Sequence, residues 1–424
     1  MKIIKKIWQS AIVSYEGSKG FYNGDFLVKH PREDEDKYNN RKDIAYYTNI
    51  FKPKVNRYVG YLYKKTPVRT SSNQFIKKIL DDVDNGGNSI DIFMSNFATN
   101  SKVRGVGLCL VDMSRELPSN LKEQLDNRVL PYLVYIEPER VVKFKLDKYK
   151  KFEFVEYSDS MLVDDKVVDI TRYYDTMKWE VKQEDKILES GEHNLGICPL
   201  VYFSEDGEFL SYGEFSQASG ILKRHYNLQS ELDEILRYQT FPILTLQGDV
   251  DTLDTGVNNA LVYDETAQRP EFISPQSQPA QLIQSRLKEL EDYISTICYD
   301  LNTASGVESG IALDLKFQGL NSSLSKFSLR LEDFERKVFD VVCKYLSINN
   351  DIEINYAKDF SIIDVTKEIE IFSAMNELVD SPTYFQQKAL QIINNDLTNI
   401  EIDTFDAIRS ELEDVGKVTK GKDE

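Results

Sequence analysis

The sequence predicts an α+β protein, sheet-rich in its first half and built on long helical rods in its second. Three observations predict it. Between 103 and 203, apolar residues recur at every second position in short runs separated by turns, as in antiparallel meanders. From 214 onward they recur at threes and fours through three long stretches. A segment rich in turn residues, 247–277, separates the first two of those stretches. With 424 residues, 41% of them hydrophobic, the chain can bury a sizeable core, which argues against global disorder. At roughly 150 residues per domain, the length fits two or three domains or one elongated subunit.

Residues 1–24, with Gly17, Gly20 and Gly24, read as an irregular N-terminal segment, and 31–43 (PREDEDKYNNRKD) as a charged loop. Ile44, Tyr47, Ile50, Phe51, Val55, Tyr58, Val59 and Leu62 then draw one apolar stripe, a helix that Pro67 ends. The helical period returns at Phe75, Ile79, Leu80 and Val83, breaks at Asn85-Gly-Gly87, and resumes through Ile90, Ile92 and Phe93. Strands are predicted at 106–111, 132–136, 141–146, 152–157, 167–174, 179–181 and 200–203.

In the second half, 214–240 predicts a long helix with Leu222, Tyr226, Leu232, Ile235 and Leu236 on one side, stopped by Pro242. Strands follow at 243–246, 260–263 and 271–273. Pro279 opens a second long helix, the position in a helix that proline prefers. Its series Ile283, Leu287, Leu290, Ile294, Ile297 and Leu301 approaches a heptad seam. Gly306 and Gly310 punctuate a loop, and Gly319 with Asn321-Ser-Ser323 predicts a break and a cap. A third long helix carries Leu324, Phe327, Leu331, Phe334, Val338, Val341 and Tyr345. A strand at 352–356, helices near 365–379 and 404–414, a Ser381-Pro382 helix start, and a disordered tail at 416–424 complete the reading.

The net charge of −18 argues against a monomer that grips nucleic acid by neutralising phosphates. It does not exclude a protein that lets DNA slide past, since an acidic wall repels phosphate and offers no sticking points. Four isolated cysteines, at 109, 198, 298 and 343, form no CxxC pair and read as reduced thiols of an intracellular protein. No apolar run approaches the ~18–20 residues that cross a bilayer, so no membrane partner is expected.

Catalytic signatures are missing. No GxxxxGK[ST] or strand-following GxGxxG occurs, and the GxSxG-like stretch Gly306–Gly310 has Glu308 where a nucleophile would stand. His30, His193 and His225 have no metal-ligand spacing; His193 and Cys198 lie on a turn into a strand. Asp249, Asp251 and Asp254 evoke a calcium loop but lack its later ligands, and read as a solvated turn. The chain is read as a non-enzyme with no catalytic residue, no metal and no cofactor.

The order long helix, small β insert, long helix, Gly loop, long helix resembles the portal proteins of tailed bacteriophages. Carrying the resemblance are Tyr58-Val-Gly-Tyr-Leu-Tyr-Lys-Lys-Thr-Pro67, Ile197-Cys-Pro-Leu-Val-Tyr-Phe203, Leu228–Phe241 with Pro-Ile-Leu-Thr-Leu-Gln-Gly248, Ser309-Gly-Ile-Ala-Leu-Asp-Leu-Lys-Phe317 and Ile352-Glu-Ile-Asn-Tyr356. It covers roughly 40–420 and rests on shared order more than on any single motif. It implies a closed, dodecameric ring at a capsid vertex of the virion, assembled in the host cytoplasm. Double-stranded DNA would pass through it in packaging and ejection, and the major capsid protein, the terminase and a head–tail adaptor would be its partners.

Carried over by position, 25–212 and 347–363 would be wing, 213–241 and 278–304 stem helices, 242–277 clip, 305–322 tunnel loop, 323–346 tunnel helix and 364–415 crown. The insert at 242–277 and the region after 365 are short, which implies a compact clip and a small crown. Leu222, Tyr226, Leu232, Ile235, Ile283, Leu287, Leu290 and Ile294 would pack stem against stem between subunits. Gly306, Glu308, Ser309, Gly310, Lys316 and Gly319 would line the channel, with Lys316 touching phosphate. Leu246, Asp249, Asp251 and Tyr263 would meet the adaptor. Plainer readings stand beside these: the stripes as the core of a bundle, the Gly loop as a connector, Lys316 as a surface lysine. The alternatives to a portal are another helical virion or scaffold protein and a metal-dependent nuclease.

Overall fold

The computed structural model describes residues 1–114, 129–163, 166–184, 186–240, 243–245, 271–273, 276–301, 310–360, 370, 372–375, 381–396 and 407–411. The chain forms two units, Met1–Tyr356 and Ala357–Glu424. Helices and antiparallel sheets are mixed throughout the first, so the fold is α+β.

The first unit opens with a helix, α1 (Lys2–Glu16), where an irregular segment was expected. Trp8, Ala11 and Ile12 are spaced to share one buried face, and Gly17 at φ 70° ends the helix, its N–H reaching the Val13 carbonyl at 2.9 Å. The glycines that read as irregularity lie beyond the helix. The expected charged loop is also in large part a helix, α2 (Glu35–Ile44). It has no apolar stripe to announce it. The Asp34 carboxylate caps it by accepting the Lys37 N–H at 2.8 Å, and acids in its first turn and bases in its last suit the helix dipole.

Helix α3 (Phe51–Leu62) starts later than the stripe suggested, with Pro53 in its first turn, where no donor is lost. Tyr47 stands outside it and stacks on Phe21 at 4.0 Å. Helices α4 (Gln74–Asp81) and α5 (Ile90–Arg104) lie on either side of the expected Asn-Gly-Gly break.

Strands β2 (Val106–Met113), β3 (Pro131–Ile136) and β9 (Leu200–Ser204) form an antiparallel sheet in the order β3-β2-β9. The strands β4 (Val141–Leu146), β5 (Phe152–Val163), β6 (Lys166–Asp175), β7 (Lys178–Gln183) and β8 (Lys186–Glu192) make a sequential meander. Strand β8, with its mostly exposed side chains, lacks the alternation that betrays its neighbours. Trp8, Val106, Leu108, Phe152, Tyr174 and Phe209 share one core that joins the two sheets to α1. A further strand, β1 (Val68–Thr70), pairs with β12 (Glu353–Asn355), setting Arg69 opposite Ile354.

Helices α6 (Ala218–Thr240) and α7 (Gln278–Ile297) make a hairpin, about 34 and 30 Å long at 1.5 Å per residue. Pro279 sits in the first turn of α7, as expected. Between them β10 (Ile243–Thr245) pairs with β11 (Glu271–Ile273). Then α8 (Gly310–Leu346) runs unbroken for 37 residues, about 55 Å. The expected tunnel loop at 305–322 is therefore helical from 310. Neither Gly319 nor Asn321-Ser-Ser323 breaks the rod, since one interior glycine costs only ~1 kcal/mol and the buried Leu320 and Leu324 continue the stripe below. That stripe is buried at Phe327, Leu331, Phe334, Val338 and Val341, as the spacing predicts.

In the second unit, α9 (Pro382–Asp396) starts as expected, the Ser381 hydroxyl accepting the Tyr384 N–H at 3.4 Å. Residues 370, 372–375 and 407–411 are helical.

Candidate assembly and channel surfaces

The hairpin is closed from within. Leu228 and Leu232 of α6 pack with Ala280, Leu287 and Leu290 of α7, flanked by Ile221, Ile235 and Ile283. Buried His225 bonds Glu291 at 3.1 Å, a polar strap across the same seam. Four expected stem residues on α7 and two on α6 thus find cover inside one chain: Ile283, Leu287, Leu290 and the fully buried Ile294, with Leu232 and Ile235. Leu222 and Tyr226 belong to the head instead. Leu222 is fully buried, and Tyr226 lies edge-on to Phe21 at 5.4 Å and donates to its carbonyl at 3.1 Å. What the hairpin leaves open are Leu282 and Tyr293, on one side of α7, and Leu236 and Tyr238 near the end of α6. The β10–β11 ribbon adds exposed Phe272 and Ile273.

The hairpin is tied to the head by charge. Asp300, just beyond α7, receives Lys54 at 2.5 Å and the Arg57 guanidinium, both from α3. Arg41 of α2, paired with Glu33 at 2.8 Å, reaches Ser230 of α6 at 3.4 Å. The Asn227 side chain accepts the Val28 N–H at 2.7 Å and donates to the Phe26 carbonyl at 2.9 Å.

At the junction of α3, α5 and α8 lies Lys102, only 3% exposed. Its ammonium sits over the rings of Tyr58, Phe215 and Phe327 at 4.8, 4.5 and 5.0 Å and pairs with Glu205 at 2.9 Å. Burial opposes its charge, but Glu205, Tyr58 and Glu214 together outweigh it and hold its pKa above the ordinary value. Burial also pushes the Tyr58 phenol up to about 12, and that hydroxyl is 2.8 Å from Ser323 on α8. A 740 Å³ cavity opens beside this cluster, lined by Lys102, Glu205, Glu214, Gly319, Lys326 and Arg330 among others. A second buried centre holds α8 to the β1–β12 pair: Arg69 meets fully buried Glu335 and also Asp91 at 2.6 Å, and the Tyr356 hydroxyl donates to Glu335 at 2.6 Å. Nothing in the local sequence marks either centre, because every partner is distant along the chain.

Of the expected channel residues, Lys316 and Gly319 lie exposed on the first third of α8 and Gly310 begins it. Gly306, Glu308 and Ser309 lie outside the described residues, as do Leu246, Asp249, Asp251 and Tyr263 of the expected adaptor surface. Among the described residues, no group of three or more His, Cys, Asp or Glu side chains is placed to hold a metal, and no helix is long and apolar enough to cross a membrane. His193 bonds the Asp175 carbonyl at 3.1 Å and Cys198 the Tyr174 carbonyl at 3.8 Å, so each has its own backbone partner. All four cysteines are buried; burial pushes the Cys198 and Cys298 thiols up to about 12 and Cys343 to about 11.

No protein-family model matches the chain, and no curated protein matches it. Among solved structures it is similar to a chain in the neck of an empty gene transfer agent (GTA) particle, at 11% identity and a TM-score of 0.48 over 80% of this chain and 90% of that one. It is similar to a chain of the native gene transfer agent virion at 10% identity and a TM-score of 0.46, over 79% and 89%. It is also similar to an HK97-family phage portal protein from Corynebacterium diphtheriae, at 7% identity and a TM-score of 0.36, over 78% and 94%.

Proposed function

We propose that the chain is a structural subunit of a phage portal, a closed ring, dodecameric by the family resemblance, at one capsid vertex. The observation that carries this reading is the α6–α7 hairpin: two rods of about 34 and 30 Å, sealed on the inside, with apolar side chains on the outside and a β-ribbon between them. Exposed Leu282 and Tyr293 lack a cover among the described residues of one chain. A neighbouring copy in a head-to-tail contact that closes on itself provides it. With Leu287 and Leu290 covered internally, these outer residues become the subunit contacts.

In the ring, DNA passes along the hairpins and the exposed start of α8, where Lys316 touches phosphate briefly. The net charge of −18 keeps the passing duplex from sticking. The β10–β11 end docks the head–tail adaptor and the terminase, and the capsid protein surrounds the ring. The protein performs no chemistry of its own in this role.

Negative-stain electron microscopy with native mass spectrometry tests the proposal. Closed rings with a central hole and a mass near twelve chains are expected. A stable monomer that stays monomeric with Leu282→Asp and Tyr293→Asp as with the native residues would overturn it, and filaments would point to a different helical virion protein.

A further inference from the structure

From Ile44 to Leu80 the chain carries eight lysines and arginines and no aspartate or glutamate, within a sequence whose net charge is −18. Three of the eight are engaged inside the fold: Lys54 and Arg57 with Asp300, and Arg69 with Glu335. Helix α3 buries Val55, Tyr58, Val59 and Leu62, so its opposite face, with Lys52, Pro53, Asn56 and Gly60, meets solvent. Exposed Lys64 and Lys65 follow just past its end. The placement of Lys52 runs against the helix dipole, which favours an acid in the first turn, and α3 has none there. Packing does not account for Lys52 either: its ammonium lies over the ring of Tyr15 at 5.5 Å and otherwise faces water.

The face is shaped as well as charged. Pro53 and Gly60 make a low floor along its middle, and a Cβ on Gly60 would meet nothing within 4 Å. At 100° per residue, Lys52 and Asn56 edge that floor on one side and Arg57 on the other. The Asn56 side-chain oxygen accepts the Tyr15 hydroxyl at 2.7 Å, and its amide N–H groups have no partner among the described residues. One nitrogen of Arg57 donates to Asp300, and the side chain stays 36% exposed. Two acids come near: Asp300, 3% exposed and held by two cations, and Glu16 beside Tyr15, which accepts the Ser18 hydroxyl at 2.9 Å. Against them stand Lys52, Lys54, Arg57, Lys64 and Lys65, so positive charge is in excess. Among the described residues, neither Lys52 nor Lys64 has a carboxylate within ion-pair distance. No large hydrophobic side chain is exposed from Phe51 to Pro67.

We propose that this face of α3 binds the sugar–phosphate backbone of a nucleic-acid duplex without reading its sequence. Lys52, Arg57 and Lys64 meet phosphate oxygens and the Asn56 amide donates to one, while the bare floor at Pro53 and Gly60 lets the strand lie against the helix. A protein partner would need an apolar anchor to bury at the centre of its contact, and the face presents none. A single strand would need exposed rings on which to stack its bases, and none is offered. Phosphates need charge and donors, which the face supplies. With about three phosphates neutralised, the grip is weak and sensitive to salt. The assignment does not rest on the ring reading, because every residue it uses lies in one subunit.

The probe is a fluorescent DNA duplex of about twenty base pairs, titrated by anisotropy against the full chain over a range of salt. Log affinity is expected to fall against log salt with a slope of about −3, and duplexes of unrelated sequence to bind alike. Lys52→Glu with Lys64→Glu should weaken binding about tenfold or more and reduce the slope by about two. Gly60→Glu, whose side chain has room and whose helix propensity is better, should weaken it about tenfold with the fold intact by circular dichroism. Lys148→Glu with Lys186→Glu, exposed on the sheet, should leave binding unchanged. No binding by the native chain, an unaltered slope in the Lys52 and Lys64 variant, or an equal loss in the sheet variant overturns the proposal. So does displacement of the duplex by polyglutamate at equal charge, which would assign the face to an acidic protein segment. Native mass on the same samples reports ring formation separately, so a failed ring and a failed face are told apart.

Discussion

Lys102 holds its charge where water scarcely reaches, and only the surroundings make that tolerable. Three ring faces and one carboxylate replace its hydration. Removing the carboxylate while leaving the ammonium should cost far more than removing both, because an unpaired buried charge is the expensive state. Glu205→Ala is expected to lose about 3–5 kcal/mol of unfolding free energy in urea titrations, and the Glu205→Ala, Lys102→Met double variant to recover most of it. Glu33 gives a pH-dependent counterpart. Hydrogen bonding from Arg41 holds its carboxyl below the ordinary 4.5, with partial burial opposing. A carboxylate depressed in the folded state stabilises the fold above its unfolded pKa and loses that contribution as pH falls through its folded pKa. Stability measured from pH 7 downward should therefore drop below about pH 4.5. Glu33→Gln should flatten part of that drop, and an unchanged acid limb would show that the Arg41 pair contributes nothing there.

At the scale of elements, what the sequence revealed depended on the strength of the period. The stripe from Leu324 to Val341 and the seam from Ile283 to Ile294 repeat often enough to specify their rods, and the buried residues match. In α2 there is almost no apolar stripe to find; its signals are a cap and a charge gradient. Strands β1 and β8 fail differently. The first is three residues whose partner lies more than 280 residues away, and the second shows solvent most of its side chains. Gly319 misleads because a lone glycine signals a break only where no packed stripe continues through it. A Cβ there would meet nothing within 4 Å, so Gly319→Ala should raise stability by up to ~1 kcal/mol and leave helix content intact by circular dichroism. A destabilising result would mean that the rod needs a hinge at this position. Leu290, 4% exposed inside the hairpin, gives the opposite sign. Leu290→Asp buries a carboxylate and should cost several kcal/mol, opening α6 and α7 to proteolysis before the sheets unfold.

For the molecule as a whole, the order of elements was legible and the ties between them were not. Periodicity names the rods, but only the folded chain shows Asp300 gathering Lys54 and Arg57, or Arg69 meeting Glu335 across 266 positions. The same limit applied to the candidate surfaces. The spacing identified Leu287 and Leu290 as seam residues, but whether the other half of a seam belongs to the same chain is invisible to a period. The mass and shape of the assembled protein are the measurements that test the outer face of that hairpin.

The unbroken α8 has a mechanical consequence. Its later two thirds are clamped among the aromatic rings of the sheet and of α5, with Phe334 stacked on Phe97 at 4.3 Å. Its first turns, around exposed Lys316, run on from that clamp for about 20 Å at 1.5 Å per residue. A stiff beam fixed at one end magnifies whatever happens at the fixing. Rocking the clamp by about five degrees would swing the first turn sideways by about 2 Å over that length. Small strains in the sheet would thus emerge at Lys316 as motion, without any joint in between.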